Sequence, residues 1–300
     1  MSILNRPSDG LFNIIIVLAR CVLAEGPIAK DRLVRLCAPE AAVGSDDACR
    51  KSLNTALDIG LLHAGDDGIV LSPDLPKDAR STKTGPDQLR DTIRALVLSE
   101  RNNPDVWADK DSRAADFTRA ASWVLAQDPF RFQGIGVDEL VELHNRQFPT
   151  KEYTALGNES VRWPGFRSWA VYLGFGWDAY KLGFTPDPGV AIRAALPAVF
   201  EAGAELDCAS FVSGVARQIP VLDGGAYRTE VEARISREYW QPPPDGQLSA
   251  SLSLALLRLE REGAIRLNDR DDPRFGRRTL TGRGRQPLRR FSHVRTQEAA

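Results

Sequence analysis

The sequence predicts a mainly α protein with a winged-helix module at each end and a helical middle region. Near both ends of the chain, segments with apolar residues at helical spacing are followed by two short apolar runs around a turn, which is the helix–helix–helix–hairpin order of a winged helix. Four positions also recur at equal offsets, Leu53, Ala56, Gly60 and Leu61 near the first end and Leu256, Leu259, Gly263 and Ala264 near the second. This recurrence indicates an internal repeat.

The first block is predicted to be an N-terminal winged helix over residues 1–75. The predicted elements are helices over about 9–24, 29–37 and 46–60, with Asp9 and Ser45 as the N-caps of the first and third, and a hairpin of strands 61–64 and 69–71. Gly26-Pro27 and Gly60 end helices, and the Asp/Gly turn over 65–68 joins the two strands. We expect Leu33, Leu36 and Cys37 to share the buried apolar face of the second helix.

The middle region, residues 76–187, is predicted to be helical and to follow a polar linker over 74–87. The predicted elements are helices over about 87–102, 112–127, 137–147 and 165–173, followed by a hairpin through Phe184. A degenerate third winged helix is the alternative for this region. Aromatic residues recur here at spacings of three and four, which is typical of a buried core rather than of a base-stacking surface; they are Trp163, Phe166, Trp169, Tyr172, Phe175 and Trp177.

The last block, residues 188–300, is predicted to be a C-terminal winged helix with an arginine-rich wing and tail. The predicted elements are helices over 189–200, 207–215, 228–239 and 250–263, and a hairpin of strands 264–267 and 277–280. Ser249 is the expected N-cap of the last helix. Leu254 and Leu257 lie off the apolar stripe of that helix, so we expect them to contact a protein partner.

Composition and motifs exclude several classes of function. Four cysteines without a CxxC pair and three histidines predict no structural zinc and no other cofactor. The apolar run 11–24 contains Asn13 and Arg20 and is too short to cross a bilayer, and it lacks a basic n-region, so we expect a soluble cytoplasmic protein. No complete phosphate-loop, zinc-protease or hydrolase motif is present, which predicts a non-enzymatic function. Glu139, Glu142 and His144 are expected on a solvated helix face.

The charge of the chain is unevenly distributed, although its net charge is −1. Residues 263–300 contain ten arginines and four acidic residues, whereas residues 1–75 contain seven Lys/Arg and ten Asp/Glu. A dense run of arginines neutralises phosphates and releases counterions, and the planar guanidinium group suits phosphate recognition. The predicted DNA contacts are Arg274, Arg277, Arg278, Arg283, Arg285, Arg289 and Arg290, with Arg295 in the same acid-free stretch. A solvated basic tail is the alternative.

The third helix of the first block is a second predicted DNA contact. Its outer face offers Arg50, Lys51 and Asn54, residue types that suit phosphates and base edges. Asp46 and Asp47 begin the same helix and repel phosphate from the end where it would otherwise bind. A solvated face or a protein contact is therefore the alternative interpretation of this helix.

Residues 1–40 contain the segment MSILNRPSDGL at positions 1–11, an apolar helix after it and Gly26-Pro27. This opening resembles the start of DpdG proteins. DpdG proteins are accessory components of bacterial gene clusters that insert 7-deazaguanine derivatives into DNA and restrict unmodified DNA. The resemblance implies a role in phage defence beside nucleic-acid-handling partners such as helicases and ATPases, and it supplies no catalytic motif.

These patterns predict a non-catalytic DNA-binding and complex-assembly component of a bacterial DNA modification and restriction system. Its expected partners are DNA and the protein subunits of that system. A tandem winged-helix transcriptional regulator and a pure protein–protein adaptor are the alternatives, and an active site built from scattered residues is a third. The arginine-rich wing favours the functions that use DNA, whereas Leu254, Leu257 and the acidic first block favour the adaptor.

Overall fold

The computed structural model describes residues 3–4, 10–108, 113–132, 134–150, 153–156, 159–179, 183–271 and 276–297, with 159–161 described through their main chain alone. Helices predominate over short antiparallel strands in these ranges, which confirms the mainly α fold class. The chain divides into two units, Met1–Phe117 with Pro164–Leu173, and Thr118–Trp163 with Gly174–Ala300. The predicted domain boundaries after residues 75 and 187 stay a prediction.

The N-terminal part of the first unit contains three helices and a β-hairpin in the predicted order. They are α1 (Phe12–Glu25), α2 (Lys30–Cys37), α3 (Asp47–Asp58), β1 (Leu62–Gly65) and β2 (Gly68–Leu71). Ile28, between α1 and α2, exchanges two main-chain hydrogen bonds of 2.8 and 3.1 Å with Ile69 of β2. Strand β2 therefore pairs with β1 on one side and with the segment at Ile28 on the other.

The ends of these helices differ in detail from the prediction. Helix α1 follows Leu11, whose main-chain N–H donates to Ser52 Oγ of α3 at 3.2 Å, and the predicted cap Asp9 lies outside the described residues. Helix α3 begins one residue later than a Ser45 cap implies, since Asp46 is its N-cap and Ser45 Oγ accepts the N–H of Asp47.

The apolar faces of the three helices form the core of this part of the unit. Leu53, Ala56 and Leu61 are fully buried, as the repeat pattern predicts. The expectation that Leu36 is buried is wrong, because α2 turns Leu33 and the adjacent Val34 inward and leaves Leu36 51% exposed.

The predicted linker over 74–87 leads into α4 (Pro86–Val97) and is mostly exposed, but three of its side chains are buried. Leu75, Ala79 and Thr84 are at most 5% exposed. After α4 the chain stays anchored, because Asn102 Nδ2 donates to the carbonyl oxygen of Ile59 at 3.0 Å. Apolar side chains in a polar segment, rather than its polarity, determine how it packs.

The middle of the chain forms further helices and a second hairpin. They are α5 (Ala115–Ala126), α6 (Val137–Gln147), α7 (Glu159–Leu173), β3 (Gly176–Ala179) and β4 (Gly183–Pro186). Helix α7 begins earlier than predicted and contains Pro164 near its start. The core interpretation of the aromatic residues is confirmed for Trp163, Phe166, Trp169 and Phe175, which are at most 3% exposed.

Over residues 189–271 and 276–297, the described residues of the second unit form four α-helices and five strands. They are α8 (Gly189–Val199), β5 (Glu205–Asp207), α9 (Cys208–Gln218), α10 (Ala226–Glu232), α11 (Ala250–Arg261), β6 (Ile265–Asn268), β7 (Arg278–Thr281), β8 (Pro287–Phe291) and β9 (His293–Thr296). The predicted cap is confirmed, since Ser249 Oγ accepts the N–H of Leu252 at 3.3 Å. Helix α10 is shorter than predicted because the N–H of Ser236 donates to the carbonyl of Gln147, not to Glu232.

The predicted hairpin of 264–267 with 277–280 is wrong. Strand β6 pairs with β9, with Leu267 opposite Val294, and β7 pairs with β8 instead. Strand β9 lies at the centre of a three-stranded sheet in the order β5–β9–β6, and Val294 also lies opposite Leu206. Leu267 and Val294 are buried, so β6 pairs with β9, the strand that completes this apolar sheet. The β7–β8 hairpin lies between β6 and β9 in the sequence.

The two ends of the chain share one strand topology. At the N-terminal end, Ile28 before α2 forms a bridge with β2, and β2 pairs with β1, which follows α3. At the C-terminal end, β5 before α9 pairs with β9, and β9 pairs with β6, which follows α11. Gly60 and Gly263 end the final helices with φ of 81° and 75°, in the left-handed region that favours glycine. The two ends therefore share this pairing pattern and these helix-ending glycines, and the internal repeat inferred from the offsets stays a prediction.

Candidate nucleic-acid interface

Six of the predicted DNA-binding arginines lie on one element, which we call the arginine hairpin and define as residues 276–291. It contains β7, β8 and the turn between them, with Thr279 opposite Arg290. Leu280 and Phe291 are fully buried, and the N–H of Thr281 donates to Ser253 Oγ of α11 at 2.8 Å. The hairpin is thus anchored at its base, while residues 283–290 are exposed.

The turn of the arginine hairpin is held in place by contacts within the second unit. The N–H of Gly284 donates to Asp128 Oδ2 at 2.9 Å, and the Arg285 guanidinium donates to the carbonyl of Gln241. The guanidinium of Arg283 lies 5.7 Å from the centre of the Phe130 ring. Arg285 has a φ of 67°, a left-handed conformation that is costly for a residue with a side chain, so these contacts hold a strained turn.

Two of the predicted contacts have their charge compensated by acidic residues from outside the acid-free stretch. Arg277 Nε lies 2.9 Å from Asp269, and its Nη2 lies 2.9 Å from Asp271. These hydrogen bonds, the one to Asp271 first, raise the pKa of Arg277 above its usual value. Arg289 forms an ion pair with Glu260 of α11. Both guanidinium groups are therefore less available to phosphate than the sequence predicts.

The remaining arginines differ in exposure. Within the described ranges, Arg290 is exposed and has no ion-pair partner, and Arg283 has no acidic partner. Arg278 is half-buried beside Cys208, and the predicted contact Arg274 lies outside the described residues. Arg283 and Arg290 are thus the cations of the hairpin that the structure leaves most accessible.

Helix α11, which precedes the hairpin, has little free surface for reading bases. Ser251 and Ser253 are fully buried, and Ser251 Oγ donates to the carbonyl of Leu125. Leu254 and Leu257, the predicted partner contacts, are half-buried. Their role in binding a partner stays a prediction.

The second predicted DNA contact, on α3, is compensated internally. Arg50 lies 2.8 Å from Asp46 and 3.2 Å from Asp31, and Lys51 lies 2.8 Å from Asp47. The pKa of Arg50 is raised, first through its hydrogen bond to Asp31. Asn54 is half-buried, and its Oδ1 accepts a hydrogen bond of 3.4 Å from Lys30 Nζ.

The turn of the hairpin also borders a cleft of about 400 Å³. Four charged residues are among its lining, Asp128, Arg131, Glu238 and Arg285, so their formal charges cancel. A neutral cleft gives no electrostatic attraction to a phosphate chain. The accessible positive charge is therefore on the outward side of the hairpin rather than in the cleft.

The prediction for His144, which lies outside the hairpin, is wrong. His144 is 2% exposed rather than on a solvated face, and its Nε2 accepts the N–H of Ala155 at 3.1 Å. Helix α6 turns His144 inward against the ring of Trp123, with 5.1 Å between the ring centres. Among the described residues, no group of His, Cys, Asp and Glu is placed to hold a metal ion, and no helix has the length and hydropathy of a membrane span.

Two features of the site are absent from the sequence prediction. The acidic partners Glu260, Asp269 and Asp271 precede the acid-free stretch, and only the fold brings them to Arg277 and Arg289. Leu288 is the other feature, since it is 53% exposed on β8 directly before Arg289 and Arg290. A signal for it is present in the sequence, because Pro287-Leu288 interrupts a run of polar residues.

Comparison with known proteins gives one match. The profile of a family described as DpdG-like matches residues 1–273. Searches among curated proteins and among solved structures give no match. The matched range ends before residue 276, so the arginine hairpin lies beyond the part of the chain that the profile covers.

Proposed function

The chain belongs to the DpdG-like family, which associates it with the Dpd DNA modification system, and on this premise we propose that it is a non-catalytic, cytoplasmic DNA-binding component of that system. The proposed DNA contact is the arginine hairpin. The observation that carries the proposal is that Arg283 and Arg290 project from an anchored hairpin and have no acidic partner among the described residues. Such cations release counterions when they bind phosphates.

We further propose that both ends of the chain are winged helices, the second with a wing enlarged by the arginine hairpin. The shared strand topology of the two ends and their left-handed helix-ending glycines support this. Because α11 is largely covered, the second module binds through its wing and the DNA backbone rather than through a helix in the major groove. Such binding depends little on base sequence, unlike that of a transcriptional regulator.

The test is fluorescence anisotropy of a labelled duplex across a salt series. Each neutralised phosphate contributes a slope of about −0.9 to the logarithm of affinity against the logarithm of salt concentration. Arg283→Ala with Arg290→Ala should therefore make the slope shallower by about 1.8 and weaken binding to all sequences alike. Arg32→Ala with Arg35→Ala changes the net charge equally on α2 and should leave the slope nearly unchanged.

The control pair also defines the failure of the proposal. Equal effects of the two double variants would mean that net charge, not the hairpin, determines binding. If the native chain shows no salt-dependent binding to single- or double-stranded DNA or RNA, the nucleic-acid function fails.

A protein adaptor is the second candidate function. In the N-terminal block, the apolar residues Val17 and Leu36 are 49% and 51% exposed. The basic side chains of α3 in this block form ion pairs with acidic residues of the same block. This surface suits a protein better than a phosphate chain. Capture of partners by the native chain, with and without nuclease, separates direct contacts from those that DNA bridges. Partners that remain after nuclease treatment support the adaptor.

A further inference from the structure

Leu288 is an exposed apolar residue in a fixed position on the arginine hairpin. It is 53% exposed in β8, and its side chain lies over Gly282, where an added β-carbon would be 3.0 Å from Leu288 Cδ2. The hairpin beneath it is held by the buried Leu280 and Phe291. Single exposed leucines are common on protein surfaces, so the meaning of Leu288 depends on its neighbours.

Those neighbours are cationic. Arg290 is two residues from Leu288 on the same strand, and both side chains are exposed, in a stretch of β8 where the pairing with β7 shifts register. Arg283 lies at the turn that leads into β8, also exposed. Leu288 is thus an apolar projection with an accessible arginine on the strand beside it and another at the turn.

We propose that the arginine hairpin binds the minor groove of duplex DNA, where Leu288 inserts at a base step and bends the duplex. This rests on the proposed function and specifies how the same hairpin binds. Proteins that bind the minor groove insert apolar side chains between base pairs and place arginines beside them, which kinks the duplex by about 20–90°. Arginine is also the cation that a narrow minor groove attracts.

Charge complementarity selects DNA over another protein as the occupant of this face. Lysine is absent from residues 263–297, which contain ten arginines. Among the acidic residues near the hairpin, Glu260, Asp269 and Asp271 pair with Arg289 and Arg277, and Asp128 accepts the N–H of Gly284. None of these carboxylates forms an ion pair with Arg283 or Arg290 among the described residues. A protein that bound only the apolar side chain of Leu288 would not require accessible arginines beside it.

The test measures bending and binding on the same duplex. Energy transfer between dyes at the two ends of a duplex should rise when the native chain binds, because bending brings the ends closer. Leu288→Ala should abolish this rise while the anisotropy still shows binding with the native salt slope. Val43→Ala, at another exposed apolar residue outside the hairpin, should leave the rise unchanged. A minor-groove drug should displace the chain, and a major-groove dye should not.

The outcomes separate this inference from the function on which it rests. Salt-dependent binding without a rise in energy transfer overturns the inference and leaves the proposed function intact. A native rise in Leu288→Ala, or displacement by the major-groove dye alone, also overturns it. Absence of any binding overturns both. Leu288→Glu is a second variant, which should lose both the rise and part of the affinity because its carboxylate repels the phosphates.

Discussion

Gly68 lies so close to Ile28 that a β-carbon on Gly68 would be 2.6 Å from the Ile28 carbonyl oxygen. Gly68 also has a φ of 124°, which residues with side chains rarely adopt. The close approach lets Ile69, the next residue, exchange its two hydrogen bonds with Ile28. Gly68 therefore determines whether the first hairpin can join the segment between α1 and α2.

We expect Gly68→Ala to destabilise the first block by about 2 kcal/mol, because strained backbone alone costs about 1–3 kcal/mol and the clash is with main chain that cannot move aside. Gly44→Ala is the matched control, since an added β-carbon there meets no atom within 4 Å. Thermal unfolding and the hydrogen exchange of the Ile28 and Ile69 amides measure the effect. Equal stability of the two variants would contradict this account of the hairpin.

Asp207 is a helix cap whose contribution should depend on pH. Its Oδ1 accepts the N–H groups of Ala209 and Ser210, both at 3.0 Å, at the start of α9. Asp207→Ala should cost about 1 kcal/mol at pH 7, whereas Asp207→Asn should retain most of the stability because Asn caps equally well. Urea unfolding of the three proteins gives the free energies.

The direction of the pH dependence follows from the pKa of Asp207. Hydrogen bonds from Ser210, first through its side chain, lower this pKa below the ordinary 3.8, so the folded state favours the carboxylate. The stabilisation is complete above the unfolded pKa and is lost as the pH falls through the lower folded pKa. The difference between native and Asp207→Ala proteins should therefore shrink below about pH 4. A constant difference down to pH 2 would count against the cap.

Cys37 should react slowly with thiol reagents. Burial, and then the neighbouring Cys21 thiol, raise its pKa to about 12 from an ordinary 9.0. Because the thiolate is the nucleophile, alkylation of Cys37 at pH 8 should be on the order of 10²–10³-fold slower in the folded than in the urea-unfolded chain. Mass spectrometry of iodoacetamide-treated protein measures the rate. Cys21→Ala should restore only part of the alkylation rate of Cys37, since burial is the larger cause of the raised pKa.

The sequence predicts the helices and the first hairpin well because their signals are local. The apolar stripe with Leu53 and Ala56, the left-handed glycine at position 60 and the turn over 65–68 lie within one short segment. The partner of β6 has no local signal. Val294 of β9 is separated from Leu267 of β6 by the inserted β7–β8 hairpin. The pairing of β6 with β9 also depends on β5, which pairs with the other edge of β9.

The candidate site shows the same limit. An acid-free stretch of arginines is visible in the sequence, and the structure places most of these residues on one hairpin. Which arginines keep their charge accessible depends on long-range contacts, such as that of Arg289 with Glu260 of α11. Counting charges along the chain therefore overestimates the number of phosphates that the hairpin can neutralise.

Two acidic residues compensate the charge of Arg277, so removing their charges should increase the affinity of the chain for DNA. Asp269 and Asp271 hold its guanidinium at 2.9 Å each. Asp269→Asn with Asp271→Asn keeps the shapes of both side chains, removes two negative charges and frees Arg277 for a phosphate. DNA affinity should rise at low salt, and the slope of its logarithm against that of salt concentration should steepen by about 0.9.

The control is Asp66→Asn with Asp67→Asn, which changes the net charge equally in the exposed turn of the first hairpin. A general effect of net charge would raise the affinity of both double variants alike, since long-range attraction does not depend on which acids are removed. A contact at the arginine hairpin raises the affinity of the Asp269 and Asp271 variant alone. If neither variant changes the slope, Arg277 does not reach DNA even when freed, and the contact is confined to the part of the hairpin that carries Arg283 and Arg290.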